Sequence, residues 1–354
     1  MRILDRYLGT TVAASTLIVM MVFMGLFFFL DFVDQLRDVG KGNYGLWQAI
    51  QFVVFSQPRH IYELFPIVAL LGSLIGLGWL ASNSELIVIR AAGVSLLQIS
   101  LAVMKIGGVL VLAAALIGEF VVPISEQHAH SIRSIALQSR VSLITSRGFW
   151  TRDGQSFINI RAILPGQQLR KISIYEFDDQ HRLRVNTFAK DAHFQDGKWL
   201  LEDIVQSYIA DDKVTTRHMS RATWGSLLNP DLVNIVAIAP EQLSAVELNT
   251  YIDYLRENNQ NSKRYQLAYW TKLVWPFLTA VMVFLAIPFV FGSLRSVGMG
   301  QRILVGSLLG ITFYLFNQIF NKVSLVYGFN PIVSVLLPTL LFLGLSIVLM
   351  RRVH

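Results

Sequence analysis

Between Arg6 and Asp31 the chain carries no charge. The same holds between Glu63 and Glu85, Lys272 and Arg295, Arg302 and Lys322, and Lys322 and Arg351. A helix of roughly 20 apolar residues crosses the hydrocarbon core of a bilayer, about 30 Å thick, with its backbone polar groups satisfied internally. Each of these runs meets that length. A sixth, from about Leu96 to Val122, carries only Lys105 towards one end and Glu119 towards the other. Composition agrees: 15% of residues are charged, against about 25% in ordinary soluble domains. The sequence therefore predicts an α-helical membrane protein with six transmembrane helices. The first apolar run is longer than a signal-peptide core and lacks a small-residue cleavage pattern before Asp31, so it reads as a retained span. The absence of Cys removes disulfides and thiolate metal sites.

Basic residues in short loops set orientation. With the N-terminus cytoplasmic, that face collects Arg2, Arg6, Arg90, Arg295, Arg302, Arg351 and Arg352, against Arg37, Lys41, Arg59 and Lys322 opposite. Both termini are expected inside, which places the stretch 82-SNSELIVIRAAGVS-95 in the cytoplasm.

Residues 123–264 are of another kind, with 17 basic and 16 acidic side chains. The runs 156-SFINIRAI-163, 172-ISIYEF-177 and 198-KWLLEDIVQSYI-209 alternate or are rich in β-formers, and read as strands that end near Trp224. Pro165-Gly166, Asp178-Asp179 and Asp196-Gly197 are turn signals, the last suited to a hairpin. The stretch 240–259 reads as a helix returning to the membrane. The expected organisation is spans one to three in 1–122, an inserted all-β domain outside the cytoplasm with its helical return in 123–264, and spans four to six in 265–354.

Gly72-x-x-x-Gly76 and Gly306-x-x-x-Gly310 let helix backbones approach closely, with packing inside the bundle favoured over a dimer seam. Pro276 and Pro288 bracket span four. Asn317, Gln318 and Asn321 end span five and face either the bundle interior or the interface. GxxxxGK[ST], GxSxG and HExxH are all missing, which argues against an enzyme or a nucleotide held by this chain. His60, His128 and His130 make a poor metal set, and nothing points to nucleic acid.

In 82–95, Leu86, Ile87, Ile89 and Ala91 share a short segment with Glu85 and Arg90. Such an amphipathic helix either lies on the inner leaflet or plugs a groove on a cytoplasmic partner.

The run 66-PIVALLGSLIGLGWLASNSELIVIRAAGVSLLQI-99 resembles the span–coupling helix–span unit of the lipopolysaccharide export permeases, the LptF/LptG family. The segments 4-LDRYLG-9, 32-FVDQL-36, 118-GEFVVP-123, 147-RGFW-150, 264-RYQLAYWTKLVWP-276, 289-FVFGSLRSVGMGQRI-303 and 326-VYGFNP-331 agree in order, and LDRY, FVDQL, RGFW and LRSV among them resemble the LptG branch. The resemblance implies a permease subunit paired with an LptF-type permease on a pair of LptB-type cytoplasmic ATPases. That assembly extracts lipopolysaccharide from the outer leaflet of the inner membrane and passes it to a periplasmic bridge. The bridge begins with an LptC-type single-span protein near helix 1. The inserted domain would be a periplasmic β-jellyroll. This chain would bind no cofactor, ATP and Mg being used by the partner ATPase.

By the same resemblance Glu85, Leu86, Ile89 and Arg90 would form the ATPase contact. The substrate's demands then fall on other residues. Leu26, Phe27 and Leu30 of span one, with Phe313, Phe316 and Phe320 of span five, would line the cavity for its acyl chains. Arg37, Lys41, Arg59 and Arg133 would meet its phosphates. Asp31 and Asp38 stand where some family members have basic residues, and would weaken those contacts or pair with Arg37 and Lys41. The alternatives are a permease for another envelope lipid or lipoprotein, and a non-transporting structural membrane protein.

Overall fold

The computed structural model describes residues 2–137, 149–164, 168–180, 182–195, 197–210, 212–225, 239–292 and 297–353. Pro165-Gly166, Asp196, Arg295 and the Arg147-Gly148 half of RGFW lie outside these described residues.

Among the described residues six helical segments are long and apolar enough to cross a membrane. They are α1 (Arg2–Gln35), α2 (Leu46–Ser82), the pair α4 (Leu96–Leu116) and α5 (Val122–Ala136), α7 (Lys263–Phe291), α8 (Met299–Tyr327) and α9 (Pro331–Arg352). A short helix, α3 (Glu85–Ala91), lies between α2 and α4. A π-helical turn, Ile117–Val121, joins α4 to α5 in one continuous span. Prolines fall inside α2, α7 and α9 without ending them, Pro276 and Pro288 among them.

The 37 residues of α2 make a rod of about 55 Å at 1.5 Å per residue, much longer than the hydrocarbon core. Arg59 therefore belongs to a helix rather than to a short loop, and Lys322 and Arg302 are likewise inside α8.

α2 is the axis of the bundle: α1, α5, α7 and α8 all pack on it. The glycines explain how. A Cβ at Gly72 would overlap Thr16 of α1, and one at Gly76 would press on Val12 and the Thr11 carbonyl. Gly306 and Gly310 of α8 lie against Leu71, Leu74 and Ile67 of α2. Both GxxxG patterns thus serve contacts within the chain, where helix association depends on close packing rather than on the hydrophobic effect. Leu70, Leu74, Leu77, Met282 and Leu285 fill the centre, with Phe313 and Phe342 against them. α1 and α8 are the least buried of the spans.

Among the described residues of the inserted region the strands form one antiparallel sheet in chain order. These are β1 (Phe149–Asp153), β2 (Ser156–Leu164), β3 (Gln168–Phe177), β4 (Leu183–Gln195), β5 (Lys198–Ile209) and β6 (Val214–Trp224). The β4–β5 hairpin closes where a two-residue turn is expected, with Gln195 opposite Lys198 and Gly197 at φ +76°. One face carries Ile158, Ile160, Ile172, Ile174, Trp199 and Ile204. That face is covered by Leu248, Tyr251 and Leu255 of the helix α6 (Ala245–Glu257), so among the described residues a helix takes the place of the facing sheet of a sandwich. Burial raises the Tyr251 and Tyr254 phenols above their usual range. The chain is a helical membrane protein with an inserted β domain.

Candidate functional site

The connection from α2 to α4 folds as an amphipathic helix. Asn83 and Ser84 turn the chain, Ser84 adopting a left-handed φ of 61°. Glu85 in the first turn and Arg90 in the last complement the helix dipole. Ile87 and Val88 are exposed, Val88 to 66%, as is Arg90. Ile89 is half-buried against the bundle.

Leu86 corrects an expectation. At 3% exposure it is packed into this chain's own core, so it anchors α3 to the bundle and offers nothing to a partner. The outward apolar surface is Ile87 and Val88.

Two ties hold this corner. The Tyr7 hydroxyl of α1 donates to Glu85 Oε2 at 2.6 Å. An open hollow of about 540 Å³ lies beside that bond, lined by Ile3, Leu4, Asn83, Val88 and Ile89. On the other side, Arg302 of α8 is buried and donates to the Gly78 carbonyl and, at 2.9 Å, to Ser82 Oγ. Both groups lie at the C-terminal end of α2, where the Ser82 hydroxyl also donates to the Gly78 carbonyl at 2.9 Å. The same tie shows that Arg302 is no loop cation.

At the opposite end of the bundle each of the four expected phosphate ligands already has a carboxylate. Arg37 lies 3.4 Å from Asp34, and Lys41 2.7 Å from Asp38. Arg133 reaches Asp38 at 2.5 Å and lies over the Phe52 ring. Arg59 is 3.4 Å from the buried Glu126 and 3.9 Å from Glu63. Asp31 pairs with His60 at 2.7 Å rather than with Arg37. Hydrogen bonds from Lys41 and then Arg133 hold the Asp38 carboxyl below the usual carboxylate range.

The expected acyl-chain wall divides. Leu26 and Leu30 are each 51% exposed on α1, and Phe27 stacks on His60 at 4.8 Å. On α8, Phe316 and Phe320 are half-buried with ring centroids 4.7 Å apart. Phe313 is a correction. It is 1% exposed and meets Phe342 of α9 edge-on, so it belongs to the interior and lines no open surface of this chain. α1 and α8 do not pack on one another; they flank α2. Among the described residues no group of three His, Asp or Glu could hold a metal ion. His128 packs edge-on against Phe55, and His130 faces Glu126.

The sequence family described as lipopolysaccharide export system permease LptF/LptG matches residues 6–352. The chain belongs to the LptF/LptG family. It is 40% identical over 343 residues to the lipopolysaccharide export system permease protein LptG of Haemophilus influenzae, with 96% of each chain covered. With the LptG of Escherichia coli K12 it shares 38% over 353 residues, 99% of this chain and 98% of the relative.

In this LptF/LptG chain several working contacts escape a reading of residue types alone. From residue type Tyr7 and Lys272 carry no expectation, Glu119 reads as a charge near a span end and Arg302 as a basic loop residue, yet each joins two distant segments. All four fall in segments that carry the family resemblance: LDRYLG, GEFVVP, RYQLAYWTKLVWP and FVFGSLRSVGMGQRI. That was the available signal. It marks the positions without naming their partners.

Proposed function

We propose that this chain is the permease subunit of an ATP-driven exporter that takes lipopolysaccharide from the outer leaflet of the inner membrane and delivers it to a periplasmic bridge. The observation that carries the reading, beside family membership, is α3: a short helix anchored through Leu86 with Ile87, Val88 and Arg90 turned outward. A shape of that kind fits a groove on a partner. In this reading both termini and α3 are cytoplasmic and the β domain is periplasmic. The partners are an LptF-type permease, a pair of LptB-type ATPases that use ATP and Mg, and an LptC-type protein near α1.

The open faces of α1 and α8, with Leu26, Leu30, Phe316 and Phe320, form this chain's share of the acyl-chain cavity. Arg37, Lys41, Arg59 and Arg133 meet phosphate by exchanging one anion for another, since each begins on a carboxylate. Such an exchange costs less than desolvating an unpaired cation, because a charge-assisted partner is present before and after.

Photocrosslinking in living cells from an artificial amino acid at Val88 tests the reading. Capture of a cytoplasmic ATPase, lost in Glu85→Lys, is the expected result. Adducts with membrane lipid alone would make α3 a surface helix and remove the exporter role. Lipids that co-purify with the complex separate lipopolysaccharide from another envelope lipid.

A further inference from the structure

We infer that Tyr7 is a positioning residue that couples the α3 helix to span α1 through the Glu85 carboxylate. The inference rests on the proposed ATPase contact at α3, and adds how movement there reaches one particular wall of the cavity.

The bond itself is the first ground. A phenol donating to a carboxylate at 2.6 Å is in the range of the short, charge-assisted class. It spans 78 residues of sequence, from the second turn of α1 to the first turn of α3. The surroundings are the second ground. Leu8 and Val12 are fully buried on the inner side of α1, so the helix is seated, while Tyr7 turns outward over the hollow. Asp5, two residues earlier, pairs with Lys105 of α4. The first two turns of α1 are thus held by polar contacts to α3 itself and to α4, which follows it. Across the hollow, Ile3, Leu4, Val88 and Ile89 leave open space rather than a packed seam. Where the hollow separates α1 from α3, the hydroxyl–carboxylate contact bridges them and carries displacement from one to the other.

A carboxylate has capacity for several donors. An ATPase cation approaching Glu85 therefore adds to the Tyr7 contact or displaces it, and in either case changes the constraint on α1. The hydroxyl stores no chemistry; it fixes where the acid points.

The assembled exporter in phospholipid vesicles containing lipopolysaccharide tests this. The chain has no native cysteine, so spin labels at Ile3→Cys and Asn83→Cys, in an exporter whose other subunits carry no reactive cysteine, report the width of the hollow. Tyr7→Phe keeps the ring and deletes the donor. It is expected to lower lipid released per ATP hydrolysed by about tenfold, the factor one charge-assisted hydrogen bond supplies. It should also broaden the Ile3–Asn83 distance distribution to the same extent as Glu85→Ala, with no further broadening in the double variant.

An unchanged release ratio in Tyr7→Phe overturns the inference. So does broadening that adds to that of Glu85→Ala, which would make the role of Tyr7 merely structural. If the ATPase fails to bind α3 at all, the proposed function falls and this inference with it. If the ATPase binds and only the Tyr7 effects are missing, the function stands and the inference alone is lost.

Discussion

The Glu119 carboxylate accepts the backbone N–H of Ala245 with both oxygens, at 3.1 and 3.0 Å. Ala245 is the first residue of α6, where amide hydrogens have no intrahelical partner and the helix dipole favours an anion. Lys272 of α7 lies 3.8 Å from the same carboxylate and donates to the Leu243 carbonyl just before α6. Gln242 adds a bond of 2.9 Å to Glu126. A π-helical turn in the third span, not a loop, thus fastens the helix that covers the sheet.

Replacing Glu119 by Gln keeps an acceptor but removes the charge and strands the largely buried Lys272. A loss of about 1–3 kcal/mol is expected, from the weakened cap and the uncompensated cation. Thermal unfolding of the purified chain measures it. Adding Lys272→Met should recover part of the loss; equal loss in single and double variants would show that the ion pair is immaterial.

Asp38 supplies a prediction with a sign. Its carboxyl is held below the usual range by Lys41 and Arg133, so the unfolded chain takes up the proton first as pH falls. The contribution is complete above the unfolded value of about 3.9 and disappears as pH drops through the lower folded value. The melting-temperature gap between the natural chain and Asp38→Asn should therefore be constant from pH 5 to pH 8 (roughly, given the spread of carboxylate values) and close below about pH 4. A gap that widens in acid refutes it.

The two GxxxG seams should respond unequally. At Gly72 the obstacle is the Thr16 backbone, which cannot yield without moving α1; at Gly306 it is the tips of Leu71 and Leu74, which can turn. Gly72→Ala is expected to cost about 1–3 kcal/mol and Gly306→Ala distinctly less. Melting temperatures of the two variants rank them directly.

Arg302 is expected to tolerate no neutral replacement. Arg302→Met removes the charged donor from the Gly78 carbonyl and the Ser82 hydroxyl, which keep only the bond between them, at about 1.5–3 kcal/mol for hydrogen bonds to a charged group. Gly78→Ala should imitate it, because a Cβ there would press on the guanidinium stem. Combining the two should add little, since both break one contact; full additivity in a double-variant cycle would separate them.

The six spans were legible because missing charge is a property of sequence alone, and α3 because Glu85 and Arg90 interrupt apolar runs. β5 is legible over its whole length, β2 to within one residue and β3 over its second half, while β1, β4 and β6 carry no reading of their own. What escaped depends on facing. α2 and α8 are apolar nearly all round, so periodicity does not say that Phe313 turns inward while Ile319 turns out. In seven-residue α3, Leu86, Ile87, Val88 and Ile89 run consecutively, so residue types do not say which of them turns into the core. Pairings across long sequence separations escaped as well: Asp31 with His60 and Asp38 with Arg133 cannot be chosen from residue types when several opposite charges share one level.

The glycines along α2 carry a mechanical consequence. A seam made of interlocked side chains shifts only by unseating rotamers one after another. Where α1 meets α2 at Gly72 and Gly76, backbone lies on backbone. Across the axis the bare surface belongs instead to α8, whose Gly306 and Gly310 rest on the leucines and isoleucine of α2. One shaft therefore bears two close seams cut in opposite senses, and at its end the Arg302 guanidinium pins the second of them.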